Sequence, residues 1–291
     1  MNTSLVKINC SDLKDLMSIP PELTPFSKTA NDKYESLKKI TTRNAKQEAE
    51  YQKYVKKEET LNKYDPDIEL SDKAKSLAKE IYIRNKYNKS PLSQGSDYSL
   101  GVINGTLSES RSLQLISEVF GEQYKVNKDL VSNAHIKGKL DAYQGRSIYN
   151  AKKVIEIKTA ANMDNLLEAV IDRDKLKRDY YWQIMGYMAI TKAEVAEIYH
   201  VLVTYDENLI QESIKRYLNR IRGFGLPESV VEEEMNRIRF NMTFDEIEPQ
   251  ESVIKFTVER NEQDIKRIPK KVKAFRKYLK DFENLHLLIN D

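Results

Sequence analysis

The stretch that decides the fold is H-I-K-G-K-L-D-A-Y (His135–Tyr143), followed by a turn around Gly145 and then K-K-V-I-E-I-K-T-A (Lys152–Ala160). Both arms alternate aliphatic or β-branched residues with charged ones, which predicts two β-strands. Strand side chains alternate between faces, so Glu156 and Lys158 point one way while Ile155 and Ile157 point the other. On the same count Leu140 turns to a core and Asp141 away from it. If the arms pair as an antiparallel hairpin, Asp141 and Glu156 converge at one end with Lys158 beside them. Two carboxylates next to one ammonium can hold a divalent cation and steer a water. In a chain that is 32% charged, however, a single E-x-K also arises as ordinary solvated surface. The flanking segments therefore carry much of the argument.

Downstream, K-L-K-R-D-Y-Y-W-Q-I-M-G-Y-M-A-I (Lys175–Ile190) predicts a helix. Gln183 and Tyr187 lie four apart and share a face, with Tyr180 one turn earlier. Tyr181, Ile184 and Met188 form the apolar stripe. A-E-I-Y-H-V-L-V-T-Y follows and has the length and apolarity of a central strand. Upstream, the run from Asn104 to Gly121 predicts a helix capped by Asn104, with Gly105 and Glu109 on one face. A glycine there would let the helix lie close to a neighbouring backbone.

The order is thus G-x-x-x-E on a helix, G-x-x-D on a strand, E-x-K on the next, then Q-x-x-x-Y on a helix and a further strand. This resembles the PD-(D/E)XK nuclease superfamily, and within it the RecB-type and lambda-like phage exonucleases. The match rests on Gly105 with Glu109, Gly138 with Asp141, Glu156 with Lys158, and Gln183 with Tyr187, across about residues 100–205. Two features depart from the pattern. The span between Asp141 and Glu156 exceeds the shortest hairpins of the family and predicts an extended ribbon through Tyr149 and Asn150. No histidine precedes Gln183, and Tyr180 stands in its place.

The resemblance implies an α/β fold, a mixed central sheet flanked by helices as in restriction endonucleases, with helical N- and C-terminal appendages. It implies a deoxyribonuclease using Mg²⁺, with Mn²⁺ able to substitute, that degrades linear DNA from its ends in phage-type recombination or repair. Asp141 and Glu156 would be metal ligands, with the Ile157 carbonyl a third and Glu109 acting directly or through water. Lys158, its pKa lowered beside a metal, would orient or deprotonate the attacking water or stabilise the transition state; the sequence leaves these roles open. Gln183 and Tyr187 would position Lys158 or a DNA phosphate. Arg173, Lys175, Lys177, Arg178 and Tyr180 are candidates for DNA contact, or in the case of the basic residues a solvated cluster. Relatives also imply a ring-shaped trimer and a single-strand annealing partner. Two rivals share the core: a restriction- or repair-type endonuclease, and a DNA-binding scaffold with a vestigial site.

The whole chain sets further bounds. At 291 residues it can bury one large core or a core with appendages. A net charge of +3 restricts nucleic-acid binding to local basic patches. The single cysteine, Cys10, excludes an internal disulfide, suits a reducing cytosol and argues against the iron–sulfur branch of the superfamily. Three histidines, His135, His200 and His286, show no zinc spacing or triad pattern. Gly101–Leu107 lacks the Gly-Lys-Ser/Thr ending of a phosphate-binding loop. No run has the length of a membrane span, and no signal-peptide pattern opens the chain.

Three consecutive regions are expected: residues 1–97, mainly helical; 98–206, the core; and 207–291, mainly helical with one strand packed on the core. Within the first, prolines at 20, 21 and 25 break any regular element before residue 26. Ser27–Tyr64 reads as one or two surface helices, either a solvated arm or a wall carrying Lys53, Lys56 and Lys57 to DNA phosphates. Ser71 caps a helix reaching Tyr87 with Leu77, Ala78 and Ile81 inward. Asn88–Asp97 is a loop over the site or a plain connection. Glu207–Arg222, Glu228–Ile238 and Glu262–Leu288 read as helices, the last with Val272, Phe275, Tyr278, Leu279 and Phe282 on one face; Ser252–Arg260 reads as a strand.

Overall fold

The computed structural model describes residues 2–89 and 100–288; most of the Asn88–Asp97 connection lies outside them. Contacts divide the chain into two compact units, residues 1–91 with 262–291, and residues 92–261. The C-terminal helix therefore groups with the N-terminal helices, and residues 207–261 group with the core. This differs from three consecutive regions, because a division read in chain order cannot register a helix that returns to its first partners.

The first unit begins with β1 (Ile8–Asn9) and α1 (Leu13–Leu16), whose Ile8, Leu13 and Leu16 are fully buried. Regular structure thus precedes the prolines that were expected to prevent it. Then come α2 (Lys28–Lys38), α3 (Ala45–Lys63) and α4 (Asp72–Tyr87). Asn44 and Gln47 close a reciprocal capping box on α3, at 2.9 and 3.0 Å. Ser71 Oγ accepts from the Ala74 N–H at the start of α4, and Leu77, Ala78 and Ile81 are buried as the spacing predicts. No residue of α3 is buried, consistent with its thin apolar content.

The second unit holds α5 (Leu100–Leu107), α6 (Glu109–Phe120), β2 (Lys125–Val126), β3 (Val131–Ser132), β4 (Ile136–Gly138), β5 (Ala142–Gly145), β6 (Ala151–Thr159), α7 (Met163–Ile171), α8 (Arg173–Thr191), β7 (Val195–Val201), α9 (Glu207–Ile221), α10 (Glu228–Phe240) and β8 (Val253–Glu259). Its sheet runs β2-β5-β6-β7-β8: β5 and β6 are antiparallel, β6 and β7 parallel, β7 and β8 antiparallel. The parallel step needs a crossover, supplied by α7 and α8.

The decisive stretch folds largely as its alternation dictates. The first arm is nevertheless two strands. Ile136–Gly138 pairs with β3, whereas Ala142–Gly145 pairs with β6, and Asp141 stands at the break between them. Ile155 joins Ile116 of α6 and Tyr199 and Val201 of β7 in one apolar cluster, with Ile157 packed on it, so odd positions of β6 face α6. Glu156 turns to the opposite face, where Gln183 of α8 meets it. The connection between β5 and β6 is a 3₁₀ turn at Ile148–Asn150, not an extended ribbon. Gly145 has φ +144°, and a Cβ there would meet backbone atoms of Asn150, Ala151 and Lys152 at 3.1 Å, so this turn requires glycine.

The last element, α11 (Glu262–Leu288), returns to the first unit and packs on α4, burying Ile268, Val272, Phe275 and Leu279. Lys271 on the same helix is also buried. Its ammonium donates to the carbonyls of Pro66 and Glu69, where the Asp65–Pro66 break leaves them without helical partners.

Candidate active site

The register Ala142↔Ile155, continued by one residue, sets Asp141 across from Glu156 on the face that α8 covers. Asp141 Oδ2 accepts the Ile157 N–H at 2.6 Å, which extends the pairing past the end of β5 with a side chain. Glu156 is 3% exposed. Its Oε1 accepts from the Lys158 ammonium at 2.6 Å and from the Gln183 amide at 2.7 Å. Its Oε2 is equally buried and has no hydrogen-bond partner among the described residues. Lys158 also lies 4.6 Å from the centre of the Tyr180 ring, a cation–π contact that holds it over the sheet.

The α8 spacing accounts for the support. Gln183 donates to both Glu156 and Tyr187, the latter at 3.1 Å, and Tyr187 donates to the Lys139 carbonyl at 3.1 Å. Both residues are buried, at 9% and 3% exposure, and the amide goes to Glu156. Their geometry is that of a brace for the carboxylate. The expected positions against Lys158 or a DNA phosphate do not match these bonds. Replacing Gln183 by Leu should lower turnover about 10–100-fold with the fold retained, the usual cost of losing a group that orients a ligand. Steady-state kinetics alongside a melting curve checks this.

Electrostatics separates the groups. Burial and the neighbouring Glu156 charge push the Asp141 carboxyl up to about 7, with Glu109 adding in the same direction. Burial likewise raises Glu156, against the lowering effect of Lys158 and Gln183. Burial pulls the Lys158 ammonium down, but Glu156 outweighs it, with Tyr180 and Asp141 assisting, and the net shift is upward. The carboxylate partner thus raises the lysine, an effect opposite in sign to the lowering anticipated from a neighbouring metal.

A cavity of about 620 Å³ opens here, lined by Glu109, Asp141, Ile157, Lys158, Tyr180 and Lys175 among others. Among the described residues no three His, Cys, Asp or Glu side chains form a ready cation cage. The carboxylates come as a pair, with Glu109 reaching them through its charge. That set fits Mg²⁺, which takes one or two protein carboxylates and completes its octahedron with waters and substrate phosphate oxygens. The orphaned Glu156 Oε2 supports the fit, since a buried carboxylate oxygen without a partner is costly unless a cation or donor completes it.

Residues 104–194, which hold every one of these carboxylates and the lysine, match the family model described as a YqaJ-like viral recombinase domain. Over this segment the chain is similar to that family. No curated protein sequence matches the chain. Among solved structures, a phage-related exonuclease from Haemophilus somnus 129PT superimposes with a TM-score of 0.62 at 18% identity, covering 98% of each chain. The alkaline exonuclease LHK-Exo from Laribacter hongkongensis gives 0.52 at 15% identity, over 99% of this chain and 95% of its own. The same enzyme in complex with dAMP gives 0.50 at 16%. At these identities the likeness establishes the shared fold: a mixed five-stranded sheet flanked by helices.

Some expected placements around the cavity change. Asn104 is no cap: it lies inside α5, 1% exposed, with neither side-chain polar atom partnered among the described residues. The helix breaks at Ser108, so Gly105 and Glu109 sit on successive helices, although both line the cavity. A Cβ on Gly105 would stand an ordinary 3.8 Å from Thr159, so close approach does not demand glycine there. The basic cluster divides. Lys175 and Tyr180 line the cavity, Lys177 and Arg178 surround a separate hollow with Trp182, Arg178 pairs with Asp172 at 3.3 Å, and Arg173 lies over Phe256. His200 also lines the cavity. Its only signal in the sequence is a histidine within an apolar strand, and without the β6–β7 register nothing there directs it to this site.

Proposed function

We propose that the chain is a Mg²⁺-dependent deoxyribonuclease that degrades linear DNA from its ends, in phage-type recombination or repair. The observation that carries this is the pair Asp141 and Glu156: the β5–β6 register sets them across from each other, Asp141 lines the cavity, and the buried Glu156 Oε2 has no hydrogen-bond partner among the described residues. Asp141 and Glu156 would hold the ion, together with the Ile157 carbonyl and with Glu109 directly or through water. Bound there, Mg²⁺ supplies an activated water and charge relief on the scissile phosphate. The protein contributes the rest. Gln183 and Tyr187 fix Glu156 in one rotamer. The Asp141–Ile157 bond fixes the spacing between the strands. Lys158 presents its ammonium where negative charge builds on the phosphate, and cation–π contact with Tyr180 limits its motion. Lys175 adds a backbone contact at the cavity wall.

The reading predicts that an end-labelled linear duplex is shortened in Mg²⁺, left intact in excess EDTA, and shortened again when Mg²⁺ is restored. Equal cleavage with and without chelator would overturn the metal assignment.

A further inference from the structure

His200 stands on β7 directly across from Lys158 in the parallel register. Paired residues of neighbouring strands share a face, so its ring lies on the α8 side with Glu156 and Lys158. The other β7 residues on that face, Ala196 and Ile198, are apolar and fully buried. A histidine in their row is 8% exposed, lines the cavity, and has an Nδ1 that is sealed from solvent without a hydrogen-bond partner among the described residues. Leaving a buried polar group unpaired is costly, and no hydrogen bond among the described residues offsets it. The ring's tautomer follows from the same cost. A bare acceptor is tolerated in a core more readily than an unpaired N–H, so Nδ1 is the bare nitrogen and the proton sits on Nε2, which is not one of the sealed, unpartnered atoms of this cavity-lining ring. Burial keeps the ring neutral.

We propose that His200 is a substrate-binding residue, whose Nε2–H donates to a phosphate oxygen of the nucleotide held beside Lys158. This rests on the phosphodiesterase reading above. Phosphate oxygens only accept hydrogen bonds, and the carboxylates of this cavity cannot serve them. Lys158 and Lys175 are donors, but each adds positive charge near the ion that Asp141 and Glu156 would hold. A neutral imidazole adds a donor without that competition.

The test uses the full chain with His200→Leu, which fills the space without a polar atom, and His200→Gln, whose amide nitrogen falls near the position of Nε2. The melting temperature of His200→Leu should hold or rise, because an unpaired polar group has been removed. Its kcat/KM on linear duplex should fall about 10–100-fold, the range for a hydrogen bond to a charged group. Inhibition by deoxyadenosine monophosphate should weaken in parallel, and His200→Gln should recover most of both. Unchanged constants in a cleaving His200→Leu protein would overturn this inference and leave the nuclease reading standing. So would a lowered melting temperature in His200→Leu with no recovery by Gln, the signature of a packing residue. Failure of the wild-type chain to cut DNA at all would instead overturn the nuclease reading, and this inference with it.

Discussion

Substituting Gln for Glu156 should reduce Mg²⁺-dependent cleavage by about 10³-fold or more, beyond the 10–100-fold that loss of an orienting neighbour costs. The amide is nearly isosteric, so the packing against α8 survives. What disappears is the anionic charge and one acceptor oxygen. Oε1 can still accept from Lys158 and Gln183, so the brace through Tyr187 to the Lys139 carbonyl keeps its first partner. The orphaned Oε2 position becomes an NH₂ group, which repels a cation and has no acceptor of its own there. Calorimetric titration with Mg²⁺ would report the lost binding independently of turnover. Wild-type cleavage in this variant would remove Glu156 from the site.

Asp141→Asn carries the second large effect, and it acts on stability with a sign opposite to that of most core substitutions. Asp141 has a folded-state pKa of about 7, against about 4 in an unfolded chain. An acid raised in this way binds its proton more tightly when folded. Its ionisation therefore costs stability progressively as pH rises from about 4 to about 7, and the full cost is present above that. At about 1.4 kcal/mol per unit, the cost is on the order of 2–4 kcal/mol. The Asn variant keeps an oxygen for the Ile157 N–H and sheds the charge that Glu156 repels. In EDTA its melting temperature should exceed wild type by on the order of 5–10 °C at pH 8, with the gap nearly closed at pH 4, while cleavage in Mg²⁺ is lost. A variant less stable than wild type at pH 8 would contradict the electrostatic account of the pair. The expected trade of stability for charge is what a site built to hold a cation requires.

Much of this site is written in local patterns. The face assignments of Ile155, Glu156 and Ile157 follow from a period of two, and the pairing of Gln183 with Tyr187 from a spacing of four; both survive folding because burial on each side of the sheet enforces them. The helices from Glu207, Glu228 and Glu262 were legible for the same reason. What was not legible depends on contacts between distant segments. His200 reaches the cavity only through the register of β6 with β7, which is set across the long α7–α8 crossover. The split of the first arm depends on a partner, β3, that its own alternation cannot indicate. Asn104 looked like a cap because a polar residue before an apolar run usually is one, and only the buried position of α5 shows otherwise. The basic residues from Arg173 to Arg178 form one cluster in sequence, but helical rotation spreads them around α8, so their shared charge does not make a shared surface.

Hydrolysis of DNA from its ends, proposed here for this cavity, can be tested directly. The most direct measurement incubates the protein and Mg²⁺ with one duplex sequence in linear and in covalently closed circular form, resolving products over time. Rapid loss of the linear duplex, short products from the first turnovers, and an intact circle are expected. Discrete internal fragments released from the closed circle before any short product would contradict it.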